Sequence, residues 1–340
     1  FSRLMMSLLQ TPADILDEAV LFLRVYFVGF PFLFMYNILS TMFTSIGESK
    51  IPLVLLIFSS VLNILMDLWM VAGLGLGVFG AALATLIAQG ISAVFSFIIF
   101  FCRMRRYKSH FDWFDRKELR SMLQIAIPSI LQQSTVSIGM MIVQAVVNPF
   151  GTQALAGYAA TMRVENVFSL IFVSIGNAVS PYVSQNLGAK KYQRIRKGVH
   201  SGTYMALLTS VVISGVMVLF GRNILSLFVS GEPEQIRQVL DIAYKYLFIM
   251  AIFLWVLYLL YVYRSAIQGL GNTLIPLASG IAEFVMRVSV ALLLPKLIGE
   301  DGIFYAEICA WTSAAVLLFI SYMIIIRKYK DSSELPAKGL

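Results

Sequence analysis

A chain of 340 residues could hold two soluble domains, but 59% hydrophobic against 13% charged residues describes a protein that faces lipid. The net charge of +8 sits in short connections between apolar runs, which reports orientation in a membrane and argues against nucleic acid as a partner. The two cysteines, Cys102 and Cys309, and the two histidines, His110 and His200, form no disulfide framework, metal-ligand cluster or nucleophile with its base. No cofactor and no enzymatic activity are therefore expected.

The chain opens on Phe1 with residues that resemble the end of a helix more than a signal peptide, so the sequence reads as a fragment. Nine segments are long enough to cross a hydrocarbon core: 22–46, 51–72, 78–101, 122–148, 153–186, 200–220, 243–269, 275–297 and 303–326. Their length selects helices over barrel strands. The first carries Pro31, expected to kink it, and Asn37, read as either a helix-packing hydrogen bond or cavity lining, with packing preferred.

The second span places Asn63 and Asp67 four apart in an otherwise apolar run, on one face of a helix. A carboxylate near the bilayer centre costs on the order of 3 kcal/mol, so one that persists there faces a cavity and handles an ion, or else glues helices by hydrogen bonding. In the third span Ala81, Ala82 and Ala84 allow close packing, and Thr85 falls at a matched depth. At 1.5 Å per residue, Asn63 and Asp67 lie roughly 18 and 24 Å up the outward helix and Thr85 roughly 10 Å below the outer surface.

A basic connection follows, with Arg103, Arg105, Arg106, Lys108, Arg116, Lys117 and Arg120. With Lys190, Lys191, Arg194, Arg196 and Lys197 and the tail residues Arg327, Lys328 and Lys330, it marks the cytoplasmic ends. Acidic residues such as Asp17, Glu18, Glu232, Glu234, Glu300 and Asp301 fall at the alternate, outer ends. A helix beginning near Leu119 carries Pro128 and a polar stripe of Gln132, Gln133, Ser134, Thr135 and Ser137, expected to border a water-filled cavity. The next span holds Arg163 and Glu165, two apart and so not a pair on one face, and is expected to end at Gly188. Arg264 lies near an inner helix end, where its stem is expected to snorkel to the headgroups. Glu283 and Arg287 stand four apart near the midplane and are expected to form an ion pair.

The chain also repeats itself. Ser45 to Pro52 aligns with Gly269 to Pro276, superposing Gly47 on Gly271, Ile51 on Ile275 and Pro52 on Pro276 at an offset of 224. Both copies enter the membrane from the same side, so the repeats are parallel and related by an axis along the membrane normal. The expected fold is an all-α polytopic membrane protein of two six-helix bundles related by this pseudo-two-fold, the first lacking about its first two to three helices. The expected boundaries are 1–110 for the first lobe, 111–330 for the second and 331–340 for a cytoplasmic tail.

Residues Ile127-Pro-Ser-Ile-Leu-Gln-Gln133, Gln268-Gly-Leu-Gly-Asn-Thr273 and Val183-Ser-Gln-Asn-Leu-Gly-Ala189, with the repeat, resemble the MATE family of multidrug and toxic-compound exporters. The resemblance implies antiport of amphipathic, cationic small molecules against Na⁺ or H⁺ by a monomer in the cell inner membrane. It further implies a cation site at Asn63, Asp67 and Thr85; from their own positions in the spans, Gln132, Gln133, Arg163, Glu165, Glu283 and Arg287 are expected to contact substrate or to gate. The rival reading, a lipid-linked-glycan flippase, calls for several cavity arginines to hold a pyrophosphate.

Overall fold

In the computed structural model, residues 2–3, 6, 16–105, 114–299 and 301–329 are described. The proposed leading helix end at Phe1 to Leu9, the middle of the basic connection (Arg106, Lys108, His110) and the tail beyond Tyr329 lie largely outside them. Among the described residues nine helices are long and apolar enough to cross a membrane. They fall into two compact units, divided between Trp113 and Phe114.

The first unit contains α1 (Leu16–Ser45), α2 (Lys50–Asp67), a π-helical turn (Leu68–Gly73) and α3 (Gly77–Met104). Pro31 lies inside the continuous α1, where its missing N–H removes one backbone bond. Gly29 lets α1 approach α3, since a Cβ there would stand 3.1 Å from Leu86 Cδ1. Phe43 meets Phe100 edge to face at 5.4 Å across the same pair of helices. α2 is tied to α3 by hydroxyls that have no water to turn to: Ser59 donates to the Ala88 carbonyl at 3.2 Å and Ser92 to the Leu55 carbonyl at 3.5 Å. Ala82 and Ala84 are buried, as their small size requires, while Leu53, Val54, Ile57, Ile64, Leu65 and Trp69 point outward as a lipid-facing surface would.

The second unit contains α4 (Arg116–Val147), α5 (Thr152–Gly188), α6 (Tyr192–Ser226), α7 (Pro233–Gly269), α8 (Leu274–Leu293), the one-turn α9 (Pro295–Ile298) and α10 (Asp301–Lys328). α4 starts three residues before Leu119 because the Asp115 carboxylate caps it, accepting from the Lys117 N–H at 2.7 Å and the Glu118 N–H at 3.4 Å. α7 is the central helix: Tyr246, Leu247, Met250, Leu254, Val262, Ala266 and Ile267 are buried on several of its faces, as expected of a helix wrapped by others. Glycine sets its distance to α5, because a Cβ on Gly269 would lie 2.6 Å from the Ser180 carbonyl oxygen. Gly280 on α8 does the same against Gln132 of α4, where a Cβ would meet Gln132 Cγ at 2.9 Å.

The repeat found in the sequence is a repeat of backbone geometry. Gly47 (φ 87°) ends α1 and Gly271 (φ 81°) ends α7 in the left-handed region. In each case two reaching bonds close the helix end, Glu48 N–H to the Phe43 carbonyl with Gly47 N–H to Thr44, and Asn272 N–H to Ile267 with Gly271 N–H to Gln268. Pro52 and Pro276 then fall at the third residue of α2 and α8, where the ring removes a donor the helix cannot use. α5 ends at Gly188, as its sequence leads one to expect, and closes in the same way with the left-handed position two residues on, at Lys190 (φ 55°).

Candidate functional site

Asp67 is the last α-helical residue of α2, and the chain passes directly from it into the π-turn Leu68–Gly73. A π-segment widens the helix by one residue per turn and leaves local carbonyls out of α register, which is why such segments gather at functional positions. The turn is closed by Leu74 N–H donating to the Trp69 carbonyl at 2.9 Å and by Leu76 N–H donating to Met70 at 3.0 Å. Gly80 on α3 packs on this turn, its missing Cβ leaving room for the Met70 backbone carbon at 3.2 Å.

Asp67 Oδ1 is buried and accepts no hydrogen bond. That is a costly state for a carboxylate oxygen, and it leaves the atom free to take a proton or a cation. One turn along α2, the Asn63 side-chain amide donates to the Thr85 hydroxyl of α3 at 3.4 Å, and Thr85 in turn donates to the Ala81 carbonyl at 3.0 Å. Asn63 and Thr85 therefore meet directly, while Asp67 shares the Asn63 face without bonding to either. Asn63 and Thr85 border a cavity of about 300 Å³ whose wall also includes Tyr36, Asn37, Ser59, Ser60 and Gln89. Asn37 does not bridge helices as the packing reading expected: its amide donates to the Leu33 carbonyl of its own helix at 2.8 Å, and the residue lines this cavity. In this chamber every polar wall residue is neutral, and the carboxylate of Asp67 stands beside it on α2.

The second unit holds a different electrostatic centre. Glu283 and Arg287 form the ion pair that their spacing calls for, at 2.8 Å, and both are buried. The pair is half of a ladder. Glu283 Oε2 accepts from Arg264 at 2.9 Å, and Arg287 also donates to Glu307 Oε2 at 2.9 Å. Arg264 therefore does not snorkel: it is 6% exposed and points inward, because Glu283 and the Ser279 hydroxyl give its guanidinium partners there. Glu307, 1% exposed on α10, was overlooked in the sequence, although a lone acid in an apolar span is the signal that singled out Asp67. Arg287 also donates to the Val136 carbonyl of α4 at 3.4 Å.

Of the remaining candidates, Gln132 is buried against α8, whereas Gln133 and Arg163 are exposed. Glu165 is half-buried on α5 and has no ion-pair partner among the described residues; Glu307, Arg287 and Glu283 are near enough to influence it electrostatically. No cluster of three or more His, Cys, Asp or Glu able to hold a metal ion occurs among the described residues. A monovalent cation is different, since a carboxylate, an amide and a hydroxyl at Asp67, Asn63 and Thr85 supply hard oxygen donors of the kind such ions take.

The MatE family model matches residues 1–69 and 128–293. Similar curated proteins include the probable multidrug resistance protein YpnP of Bacillus subtilis, 28% identical over 310 residues, covering 89% of this chain and 67% of that one. The multidrug export protein MepA of Staphylococcus haemolyticus is 26% identical over 344 residues, covering 98% of this chain and 74% of its own length. Among solved structures, a MATE transporter in a bent conformation superposes with a TM-score of 0.85 at 19% identity, over 97% of this chain and 74% of that one. A MOP-superfamily transporter from Pyrococcus furiosus superposes with a TM-score of 0.88 at 18% identity, with the same coverage. These structural neighbours share its all-helical fold.

Proposed function

The chain belongs to the MATE family of multidrug efflux transporters, and from that premise we propose that it is a secondary active antiporter, exporting amphipathic cations in exchange for Na⁺ or H⁺. The observation that carries this reading is the orphaned Oδ1 of Asp67, at the junction of α-helix and π-turn, one turn from the Asn63–Thr85 contact. An ion arriving from outside neutralises Asp67, with Asn63 and Thr85 as neutral oxygen donors. Because a ligand shifts a conformational equilibrium only through its differential affinity for the two states, the site acts by being neutralised in one state and not in the other. Aromatic surfaces and a carboxylate hold the cargo. The working form is a monomer of the inner membrane with a cytoplasmic C-terminus.

The flippase reading is not favoured. It needs free cationic groups for a pyrophosphate, but Arg264 and Arg287 are each committed to buried carboxylates. The curated relatives quoted above are a probable multidrug resistance protein and a multidrug export protein.

Asp67→Asn tests the reading. The variant, expressed in efflux-deficient cells and reconstituted in vesicles, is expected to insert and fold but to lose gradient-driven export. Export that continues unchanged in Asp67→Asn rejects Asp67 as the coupling group.

A further inference from the structure

On the outer side of the second unit, α5 and α6 leave between them a groove of about 540 Å³. That volume falls in the range of ligand sites, about 300–1,000 Å³. The packing of the two helices makes it. Tyr182 of α5 lies across Gly198 of α6, where a Cβ would overlap its ring, and a Cβ on Gly202 would stand 3.1 Å from Val179 Cγ2. The glycines let the helices close along that line, and the exposed small residues Ala178 and Ser201 leave a trough beside it. From Lys197 to Met205 the trough runs roughly 12 Å along α6.

Its two ends differ chemically. Ile175 and Met205, with the exposed Tyr204 and Leu208 alongside, make the deep end apolar. At the other end stands the exposed Lys197, next to the basic turn that carries Lys190, Lys191 and Arg194. None of these four cations forms an ion pair among the described residues, and no acid lines the groove. Their neighbour Arg196 is different, since it donates to the Ile326 and Tyr329 carbonyls at 3.2 and 2.9 Å. Tyr182 is fixed at the basic end as well, its hydroxyl donating to the Arg194 carbonyl at 3.2 Å. A lysine whose stem follows apolar surface, beside a tyrosine, is the arrangement of a helix at the headgroup level of a membrane.

We propose that this groove binds one anionic phospholipid, its phosphate at Lys197 and an acyl chain along Ala178, Ser201 and Met205. The occupant follows from the surroundings. The flanks are lipid-facing, so what fills the trough comes from the bilayer, and a cation at one end with no carboxylate to answer it selects a negative headgroup over a neutral one. A second copy of the chain would have to bring a carboxylate to Lys197 on an apolar helix, whereas a phospholipid carries charge and chain in one molecule. The site does not depend on the coupling assigned to Asp67, which lies in the other unit.

Native mass spectrometry of the purified chain in detergent tests this, with dioleoyl phosphatidylglycerol as probe and dioleoyl phosphatidylcholine as its zwitterionic counterpart. One phosphatidylglycerol should be held more tightly than phosphatidylcholine, and Lys197→Gln should weaken it roughly fivefold, the worth of one basic residue near a lipid surface. Ala178→Leu fills the trough from α5 and should weaken it at least as far. Ser201→Leu repeats the block from α6, so one misfolded variant leaves the test standing; all three positions are exposed. Arg327→Gln, on α10 at the same end of the unit, should leave binding unchanged. Because a ligand of the folded state stabilises it, phosphatidylglycerol should also raise the melting midpoint of the wild type more than that of Lys197→Gln. The proposal is overturned by equal affinity for the two lipids, by binding that survives Lys197→Gln and the blocking variants, or by Arg327→Gln weakening it as much as Lys197→Gln. A dimer that Ala178→Leu dissolves while lipid binding is unchanged overturns it too, in favour of a second copy. None of these readouts requires transport, so a failure here is separable from a failure of the Asp67 reading.

Discussion

Gly139 of α4 stands against Arg287 of α8: a Cβ at Gly139 would lie 3.1 Å from Arg287 Nη1 and 3.4 Å from its Cδ. The absence of a methyl group on one helix is what allows a guanidinium on the next to sit fully buried and reach Glu283 and Glu307. Gly139→Ala is expected to destabilise the second unit by about 1–3 kcal/mol through overpacking. Thermal unfolding of the purified protein in detergent checks this, and an unchanged midpoint would show that Arg287 can retreat at no cost.

Glu283 bridges two arginines, so its neutralisation strands Arg264 and leaves Arg287 to Glu307 alone. Glu283→Gln is expected to cost about 3–5 kcal/mol, the range for breaking a buried ion pair from one side. Glu283→Gln combined with Arg264→Met should recover part of that loss, because the guanidinium left opposite a neutral partner is then removed while Arg287 keeps Glu307. Comparing the midpoints of the single and combined variants measures it.

The left-handed helix ends make a prediction of opposite sign at equivalent positions. Gly47→Ala and Gly271→Ala place a Cβ where φ is 87° and 81°, and each should cost about 1–2 kcal/mol. Lys190 already carries that strain at φ 55°, so Lys190→Gly is expected to be neutral or stabilising by up to about 1 kcal/mol. Denaturation of the three variants side by side decides whether backbone geometry or side-chain loss dominates.

If Thr85 helps hold the coupling ion through its hydroxyl, Thr85→Val keeps the shape and removes one oxygen. Losing one hydrogen-bonding group of about 1.4 kcal/mol corresponds to roughly tenfold weaker ion dependence of export. A concentration series of the driving ion in reconstituted vesicles gives the number, and an unshifted half-maximal concentration would remove Thr85 from the site.

Much of this was legible in the chain. Nine apolar runs of bilayer length mark the nine long helices found among the described residues, because a backbone in lipid has to satisfy itself. The repeat of Gly47 and Pro52 in Gly271 and Pro276 is visible because a left-handed turn leaves glycine as its residue and a helix start tolerates proline. Asn63, Asp67 and Thr85 stand out as polar residues at helical spacing in apolar surroundings, and the Glu283–Arg287 pair follows from four-residue spacing alone.

Partners that come from another helix were not legible. Arg264 lies close enough to a helix end to reach the headgroups, and only the packing of α7 against α8 turns it toward Glu283. Glu307 acquires meaning only when α10 brings it to Arg287, twenty residues away in the chain. The π-turn after Asp67 has no sequence period of its own, and its register is settled by Gly80 of α3 packing on Met70. Sequence by itself determined which segments enter the membrane and which polar groups go with them, since hydropathy and helical period act locally. Tertiary structure alone decided which buried charges have a partner and which, such as Asp67 with its unpartnered Oδ1, have none among the described residues, since that balance depends on distances between helices.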